Sequence, residues 1–288
     1  MFSAHDGLRL YGRHYPAMGR SEGTVVCLAG LTRNSKDFHL LAGALSAYGI
    51  GPFDVYCLDF RGRGRSAHDP DWSNYTPYID MLDTIDFLTV EGIHSAAFVG
   101  TSRGGIVTML LAAFRPAAVA AAVLNDIGPV IETQGLARIT GYVGLTPVPE
   151  DWDEAARLIR DMNRGFFPYV SDEDWLEIAR QWFGERDGRP TAGYDPNLAK
   201  LFSTADVAQG VPPMWNQFAA LNRVPTLAIR GALSDILSDE TLKEMTERHP
   251  MLAAVTVEEE GHAPLLRDDQ TIETIADFLH GADFARAI

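Results

Sequence analysis

The fold of this chain is decided by the stretch Gly100-Thr101-Ser102-Arg103-Gly104-Gly105, which joins an apolar run at residues 96–99 to a helical pattern that begins at Ile106. A strand that turns at once into a helix crowds the backbone on both sides of the turning residue. Glycine two positions before and two positions after that residue removes the Cβ atoms that would collide. The spacing therefore predicts that Ser102 points outward from a strained turn at a helix N-terminus, as a serine nucleophile must.

Outward from this turn, short apolar runs alternate with longer amphipathic patterns. Such alternation is typical of a parallel sheet covered by helices, and nearly continuous apolar runs indicate strands that are buried on both faces. The pattern predicts strands at residues 8–15, 23–28, 53–58, 96–99, 120–124, 226–229 and 253–257. It predicts helices at residues 78–90, 106–114 and 272–279.

The alternation is interrupted between residues 129 and 222, where the sequence shows no convincing strand. Helical patterns at 152–163, 172–183 and 213–221 are rich in aromatic residues and are separated by loops that contain glycine and proline. We interpret residues 129–222 as a helical cap, inserted into a core built from residues 1–128 and 223–288. The alternative is a group of peripheral helices with no part in a site.

A serine hydroxyl is a poor nucleophile at neutral pH, so Ser102 needs a base and an acid that orients the base. Asp235 follows the strand predicted at 226–229, and His262 follows the strand predicted at 253–257. Serine, aspartate and histidine in this chain order form one of three familiar triad arrangements. Asp126 is the rival acid, but its neighbours 127–129 (Ile-Gly-Pro) look like an exit turn, which favours Asp235.

These motifs resemble those of the α/β-hydrolase superfamily over nearly the whole chain. The matching stretches are residues 100–104, 28–31 (Leu-Ala-Gly-Leu), 59–66, 230–235 and 261–262. The resemblance implies a mostly parallel eight-stranded sheet with helices on both faces, a Ser-His-Asp triad and no cofactor. It also implies an oxyanion hole made by the backbone N–H groups of Leu31 and Arg103. Most relatives have His-Gly where this chain has Ala29-Gly30, a departure that leaves the glycine in place.

Composition narrows the class of partner. The chain has 288 residues, 46% hydrophobic residues and a formal net charge of −15. Such an acidic surface repels phosphate backbones and anionic lipids, so we expect neither a nucleic-acid nor a membrane partner. The Arg-Gly stretch at 61–65 is therefore interpreted as a tight turn and not as an RNA-binding motif. No spacing indicates a metal site, the N-terminus does not resemble a signal peptide, and we expect a cytoplasmic protein whose oligomeric state the sequence leaves open.

The resulting hypothesis is a cofactor-free serine hydrolase that acts on a small, partly apolar ester or lactone through an acyl-enzyme. An amide or carbon–carbon bond hydrolase, or a ligand-binding receptor with little turnover, remains an alternative because the fold does not determine the reaction. Arg33 and Arg103 lie in the predicted oxyanion-hole loops and could hold a substrate carboxylate, unless each pairs with an acidic neighbour. Trp215 is the aromatic residue that we name as a candidate for the substrate pocket, although packing between cap helices is the role that the sequence favours for it.

Overall fold

The computed structural model describes residues 1–47, 52–202 and 210–282. Eight strands in this part of the chain form one sheet, in the order β1-β2-β4-β3-β5-β6-β9-β10. β1 and β2 pair antiparallel, as do β2 and β4, and all the other pairs are parallel. The bounds are β1 Phe2–Ser3, β2 Arg9–Tyr15, β3 Thr24–Leu28, β4 Asp54–Asp59, β5 Ala96–Thr101, β6 Val119–Asn125, β9 Thr226–Gly231 and β10 Leu252–Val257. The mostly parallel eight-stranded sheet that the resemblance implied is confirmed.

Helices cover both faces of this sheet. Their bounds are α1 His39–Ser46, α2 Pro77–Val90, α3 Arg103–Phe114, α4 Thr133–Thr140, α5 Trp152–Asn163, α6 Asp172–Trp182, α7 Trp215–Ala219, α8 Asp239–Arg248 and α9 Asp269–Gly281. Alternate strand residues point to opposite faces, so Val26 packs into one core with α2, α3 and α8, whereas Val25 packs into the other with α1 and α9. The continuous apolar runs in the sequence reflect this burial on both sides.

The segment between β6 and β9 contains α4 to α7, and it also contains a hairpin that the sequence interpretation did not predict. β7 (Gly184–Arg186) pairs antiparallel with β8 (Arg189–Thr191). These strands are short and rich in charge, so they carry no apolar signal. The Asp187-Gly188 pair between them has positive φ angles of 53° and 78°, and a two-residue turn of this composition is a hairpin signal that the sequence did contain.

Packing differs along this segment. α5 and α6 build a small core of their own, with Ile159, Phe167 and Trp175 buried in it. In α7, by contrast, Phe218 is buried in the main core beside α3. The division into a core of residues 1–128 and 223–288 and a cap of residues 129–222 stays a prediction. Within the described ranges, no helix is long and apolar enough to cross a membrane.

Candidate active site

Ser102 occupies the turn between β5 and α3 in a backbone conformation that non-glycine residues rarely adopt, with φ 52° and ψ −113°. A Cβ atom on Gly104 would collide with the carbonyl oxygen of Leu28, and one on Gly100 would collide with the backbone of Gly104. The glycines at these two positions therefore permit the close approach of α3 to the sheet. This is the crowding that the sequence spacing predicted.

Ser102, His262 and Asp126 form one hydrogen-bonded chain. The Nε2 atom of His262 lies 2.8 Å from Ser102 Oγ, and its Nδ1 atom lies 2.7 Å from Asp126 Oδ2. The Asp126 side chain is fully buried, and that of His262 is 7% exposed. One imidazole nitrogen thus faces the hydroxyl that must lose a proton, while the other faces a carboxylate that can hold the ring in a single tautomer.

Asp126 is held by backbone and side-chain donors from the neighbouring strand. Its Oδ1 accepts a hydrogen bond from Gly231 N–H at 2.8 Å, and its Oδ2 accepts one from the Ser234 hydroxyl at 2.6 Å. Its own N–H donates to the Ile229 carbonyl at 2.7 Å. With these donors in addition to His262, the buried carboxylate is compensated and fixed in position.

The structure does not bring Asp235, the acid predicted from the sequence, to His262. Asp235 instead forms a bidentate pair with Arg138 of α4, with Nε–Oδ2 and Nη2–Oδ1 distances of 2.6 and 2.7 Å. Burial opposes the charge of Arg138, but the hydrogen bonds and the charge of Asp235 outweigh it and raise the arginine pKa. The conformation of the loop after β9 explains why Asp235 is not the partner of His262. In this loop the Ser234 hydroxyl donates to Asp126 and accepts from the N–H groups of Ile236 and Leu237.

Two further residues hold the loop that carries His262, and the sequence interpretation gave neither a role at the site. The side-chain amide of Asn125 donates to Thr101 Oγ1 at 3.0 Å and to the Pro264 carbonyl at 2.9 Å. Glu260 accepts a hydrogen bond from Leu265 N–H at 2.9 Å. Burial raises the pKa of Glu260 to about 7, and the charge of Asp126 adds to this rise. The signal for Asn125 was its place at the end of a buried strand, directly before Asp126.

The two predicted oxyanion-hole residues flank Ser102. Leu31 follows Gly30, where an added Cβ atom would lie 3.9 Å from Ser102 Cβ, and the Leu31 carbonyl accepts a hydrogen bond from Arg63 Nε at 2.8 Å. Arg103 is the first residue of α3, where backbone N–H groups have no partner inside the helix. Leu31 and Ser102 line the same cavity, and a helix N-terminus such as that at Arg103 favours negative charge.

Ser102 and His262 lie at a cavity of about 190 Å³ between the sheet and the segment that contains α4 to α6. Most of the lining side chains that this segment supplies are apolar or aromatic: Ile139, Tyr142, Val148, Ile159, Phe167 and Trp182. Burial raises the pKa of the Tyr142 hydroxyl, which therefore stays protonated near neutral pH. The cavity suits a small, partly apolar molecule.

Trp215 is not among the residues that line this cavity in the described part of the chain. Trp215 packs edge-on against Phe218, with ring centroids 5.9 Å apart, and the guanidinium of Arg248 lies 4.0 Å from its ring centroid. Because α7 packs against α3 and the main core, its tryptophan lies away from the residues that line the cavity. Trp182 of α6 is the tryptophan that lines it, and helical periodicity alone could not distinguish the two.

Both arginines of the predicted carboxylate site have acidic partners. Arg33 lines the cavity, but its guanidinium lies 2.7 Å from Asp37 and stacks 3.5 Å above the ring centroid of Trp182. The Nε atom of Arg103 donates to Asp80 at 2.6 Å, and its buried side chain is not part of the cavity wall. The alternative of paired arginines, left open by the sequence, is the one that the structure favours.

The chain is similar to known hydrolases over most of its length. The model of a family described as the alpha/beta hydrolase family matches residues 25–274. A 3-hydroxybutyrate-oligomer hydrolase from Cupriavidus necator is 34% identical over 270 residues, which cover 90% of this chain and 88% of the relative. An N-formylmaleamate deformylase from Pseudomonas putida is 25% identical, with 89% of this chain and 87% of the relative covered.

Solved structures show the same similarity. A crystal structure of an alpha/beta hydrolase from Novosphingobium aromaticivorans has a TM-score of 0.88 and 39% identity, with 97% of this chain and 96% of that chain covered. The family model and the first curated relative each span most of the chain. The fold, the matched residues and this relative together identify the chain as a member of the alpha/beta hydrolase family.

Proposed function

We propose that this protein is a serine hydrolase that cleaves a small, partly apolar ester through an acyl-enzyme, with Ser102 as nucleophile, His262 as base and Asp126 as the acid of the triad. The observation that carries the proposal is the hydrogen-bonded chain from Ser102 Oγ through His262 to the buried Asp126 carboxylate, placed at an apolar cavity. The roles of nucleophile, base and orienting acid require this order of contacts.

In the first half of the reaction, Ser102 Oγ attacks the ester carbonyl carbon while His262 Nε2 takes the hydroxyl proton. The tetrahedral intermediate then expels the alcohol, which receives that proton from His262, and the acyl group remains bonded to Ser102. In the second half, water attacks the acyl-enzyme and gives a proton to His262. Collapse releases the carboxylic acid and returns the proton to Ser102.

Two backbone N–H groups, those of Leu31 and Arg103, are the proposed donors to the carbonyl oxygen as it becomes negative. Such fixed donors stabilise the transition state more than the neutral substrate, and losing one commonly costs about 100- to 1,000-fold in kcat. The positive end of the α3 dipole lies at the same place, since α3 begins at Arg103. The oxyanion would therefore form at the N-terminus of a helix.

The substrate class follows from the cavity and from one relative. The wall supplied by α4 to α6 is mostly apolar, and the Arg33 charge is offset by Asp37, so we expect the acyl part of the substrate to be small and uncharged. The similarity to a 3-hydroxybutyrate-oligomer hydrolase adds short esters of hydroxy acids to the proposed substrates. Lactones, in which acid and alcohol belong to one molecule, remain within the proposal.

Amide hydrolysis is the second candidate, because the relative from Pseudomonas putida is a deformylase of N-formylmaleamate. The same triad would serve, with the amine as leaving group in place of the alcohol. The two candidates differ in the bond that is cleaved and share the nucleophile.

The test compares matched short-chain p-nitrophenyl esters, the linear dimer of 3-hydroxybutyrate and N-formyl amides as substrates of the wild type and of Ser102→Ala. We expect burst release of one equivalent of nitrophenol from the wild type, faster turnover of the esters than of the amides, and loss of both burst and turnover in Ser102→Ala. Turnover that survives in Ser102→Ala would contradict the proposal. Ligand binding without any turnover would favour the receptor alternative.

A further inference from the structure

A group of buried charges lies behind the candidate oxyanion hole and is used by no step of the proposed mechanism. Asp80 on α2 is fully buried, and its carboxylate faces two arginines from different parts of the chain. Arg103 Nε donates to Asp80 Oδ2 at 2.6 Å. Arg63 Nη1 donates to the Arg61 carbonyl at 2.6 Å and lies 3.7 Å from Asp80 Oδ1, close enough for an ion pair but not for a hydrogen bond. A carboxylate between two buried guanidinium groups is costly to bury, so its position calls for an explanation.

Each of the two arginines is attached to one side of the oxyanion hole. Arg63 is fully buried, and its Nε donates to the Leu31 carbonyl at 2.8 Å, which restrains the loop that carries the Leu31 N–H. Arg103 supplies the second N–H from its own backbone, and its guanidinium also donates to the Tyr75 carbonyl. The loop after β3 and the first turn of α3 are therefore connected through Arg63, Asp80 and Arg103.

We propose that Asp80 is a positioning residue for the oxyanion hole. By pairing with both Arg63 and Arg103, it sets the distance between the two N–H donors of the hole. This inference rests on the proposed function and assigns to α2 a role in the reaction. The separation of the two N–H donors decides how well both reach one oxygen, and a misplacement of about 1 Å can cost on the order of 100-fold in rate. Asp80 touches no substrate atom in this account and acts only through the two arginines.

The same helix offers a matched control. Asp83 lies one turn after Asp80, is also buried, and binds buried Arg61 with Nε–Oδ2 and Nη2–Oδ1 distances of 2.8 and 2.6 Å. In the part of the chain that the structure describes, the hydrogen bonds of the Asp83 carboxylate go to Arg61 and not to Leu31 or Arg103. Asp83→Asn therefore removes a buried carboxylate from the same helix, while Arg61 keeps Asp6 and Asp69 as partners and its carbonyl keeps the hydrogen bond from Arg63 Nη1.

The experiment measures kcat, KM and Tm of Asp80→Asn and Asp83→Asn with a p-nitrophenyl ester, together with the affinity of each for an alkylboronic acid that forms a tetrahedral adduct with the serine. In Asp80→Asn we expect kcat to fall by about 10- to 100-fold, KM to change by less than about threefold, and boronate affinity to weaken in parallel with kcat. In Asp83→Asn we also expect a loss of Tm, but with kcat and boronate affinity within about threefold of wild type.

Equal losses of kcat in the two variants, or a normal kcat in Asp80→Asn, would overturn the inference and leave a purely structural ion pair. If Asp80→Asn does not fold, Arg63→Lys takes its place, because a lysine lacks the planar fork that places Nε on the Leu31 carbonyl and Nη1 beside Asp80. A normal kcat in folded Arg63→Lys would then overturn it. Failure of the wild type itself to cleave the ester or bind the boronate would refute the proposed function instead.

Discussion

Two aspartates follow neighbouring strands at the same edge of the sheet, but one binds a histidine and the other binds an arginine. Asp126 comes directly after β6, is fully buried and holds His262. Asp235 comes four residues after the end of β9, is 16% exposed on its side chain and holds Arg138 of α4. The chain order of the triad motif thus predicts that an acid follows one of these strands. Which of the two acids supports the histidine depends on which side chain reaches each carboxylate.

The difference arises from how each aspartate is anchored. Asp126 donates its N–H to β9 and accepts from the N–H of Gly231, so backbone atoms of two strands fix its position. Asp235 lies in a loop in which the neighbouring Ser234, and not Asp235, donates to Asp126. A residue that is held by the sheet on both sides is the better support for an imidazole, because its carboxylate has no freedom to move away.

The largest predicted effect concerns these two carboxylates directly. Asp126→Asn is expected to lower kcat by about 1,000- to 10,000-fold, since an amide favours the wrong histidine tautomer and cannot stabilise the imidazolium. Asp235→Asn is expected to lower kcat by less than about tenfold. Steady-state hydrolysis of the same p-nitrophenyl ester by both variants measures the ratio, and the reverse order of effects would restore the acid that the sequence favoured.

The sequence was sufficient for the fold and for two of the residues that meet at the candidate site, Ser102 and His262, because their signals are local. The glycines around Ser102 and the period of the apolar runs depend on backbone geometry within a few residues. The partner of His262 depends on which of two loops reaches across a sheet edge, a long-range property that loop composition does not specify. The same holds for Trp215, whose helix packs on the main core, and for Asp80, whose role requires contacts with two distant arginines.

A second prediction concerns the pH dependence of stability that Glu260 confers. Burial, assisted by Asp126, raises the pKa of Glu260 to about 7 from an ordinary value of 4.5, so the folded state holds this proton more tightly than the unfolded chain. The free energy of unfolding should therefore fall as the pH rises from about 4.5 to 7, by on the order of 2 kcal/mol, and then stay level with respect to this group. Urea unfolding of wild type and Glu260→Gln at pH 5 and pH 8 measures the difference.

Glu260→Gln should show a smaller loss between the two pH values, because it has no proton to release. The negative charge of Asp268 raises the pKa of Glu260 more than that of Asp126 does, so the pH-dependent loss should shrink more in Asp268→Asn than in Asp126→Asn, whereas in Asp235→Asn it should match the wild type. An identical pH dependence in wild type and Glu260→Gln would show that Glu260 is not the group responsible.

The smallest predicted effect is the loss of stability when the Asp235 carboxylate is removed. Asp235 and Arg138 are partly exposed at 16% and 24%, and their bidentate pair joins α4 to the loop after β9. Asp235→Asn should cost about 1–2 kcal/mol, or a few degrees in Tm. Asp239→Asn is the control, since Asp239 is 75% exposed in its pair with Arg230 and should lose less. Equal Tm losses would mean that the Arg138 pair contributes no more than a surface pair.

The central claim, that Ser102 is activated by His262 and through it by Asp126, is tested most directly by the rate of covalent labelling with a fluorophosphonate. The account predicts that the wild type and Asp235→Asn are labelled at Ser102 at rates within about tenfold of each other, and that labelling of Asp126→Asn is slower by about 1,000-fold or more. Peptide mapping by mass spectrometry identifies the modified residue. Labelling at another residue, or fast labelling of Asp126→Asn together with slow labelling of Asp235→Asn, would contradict the account.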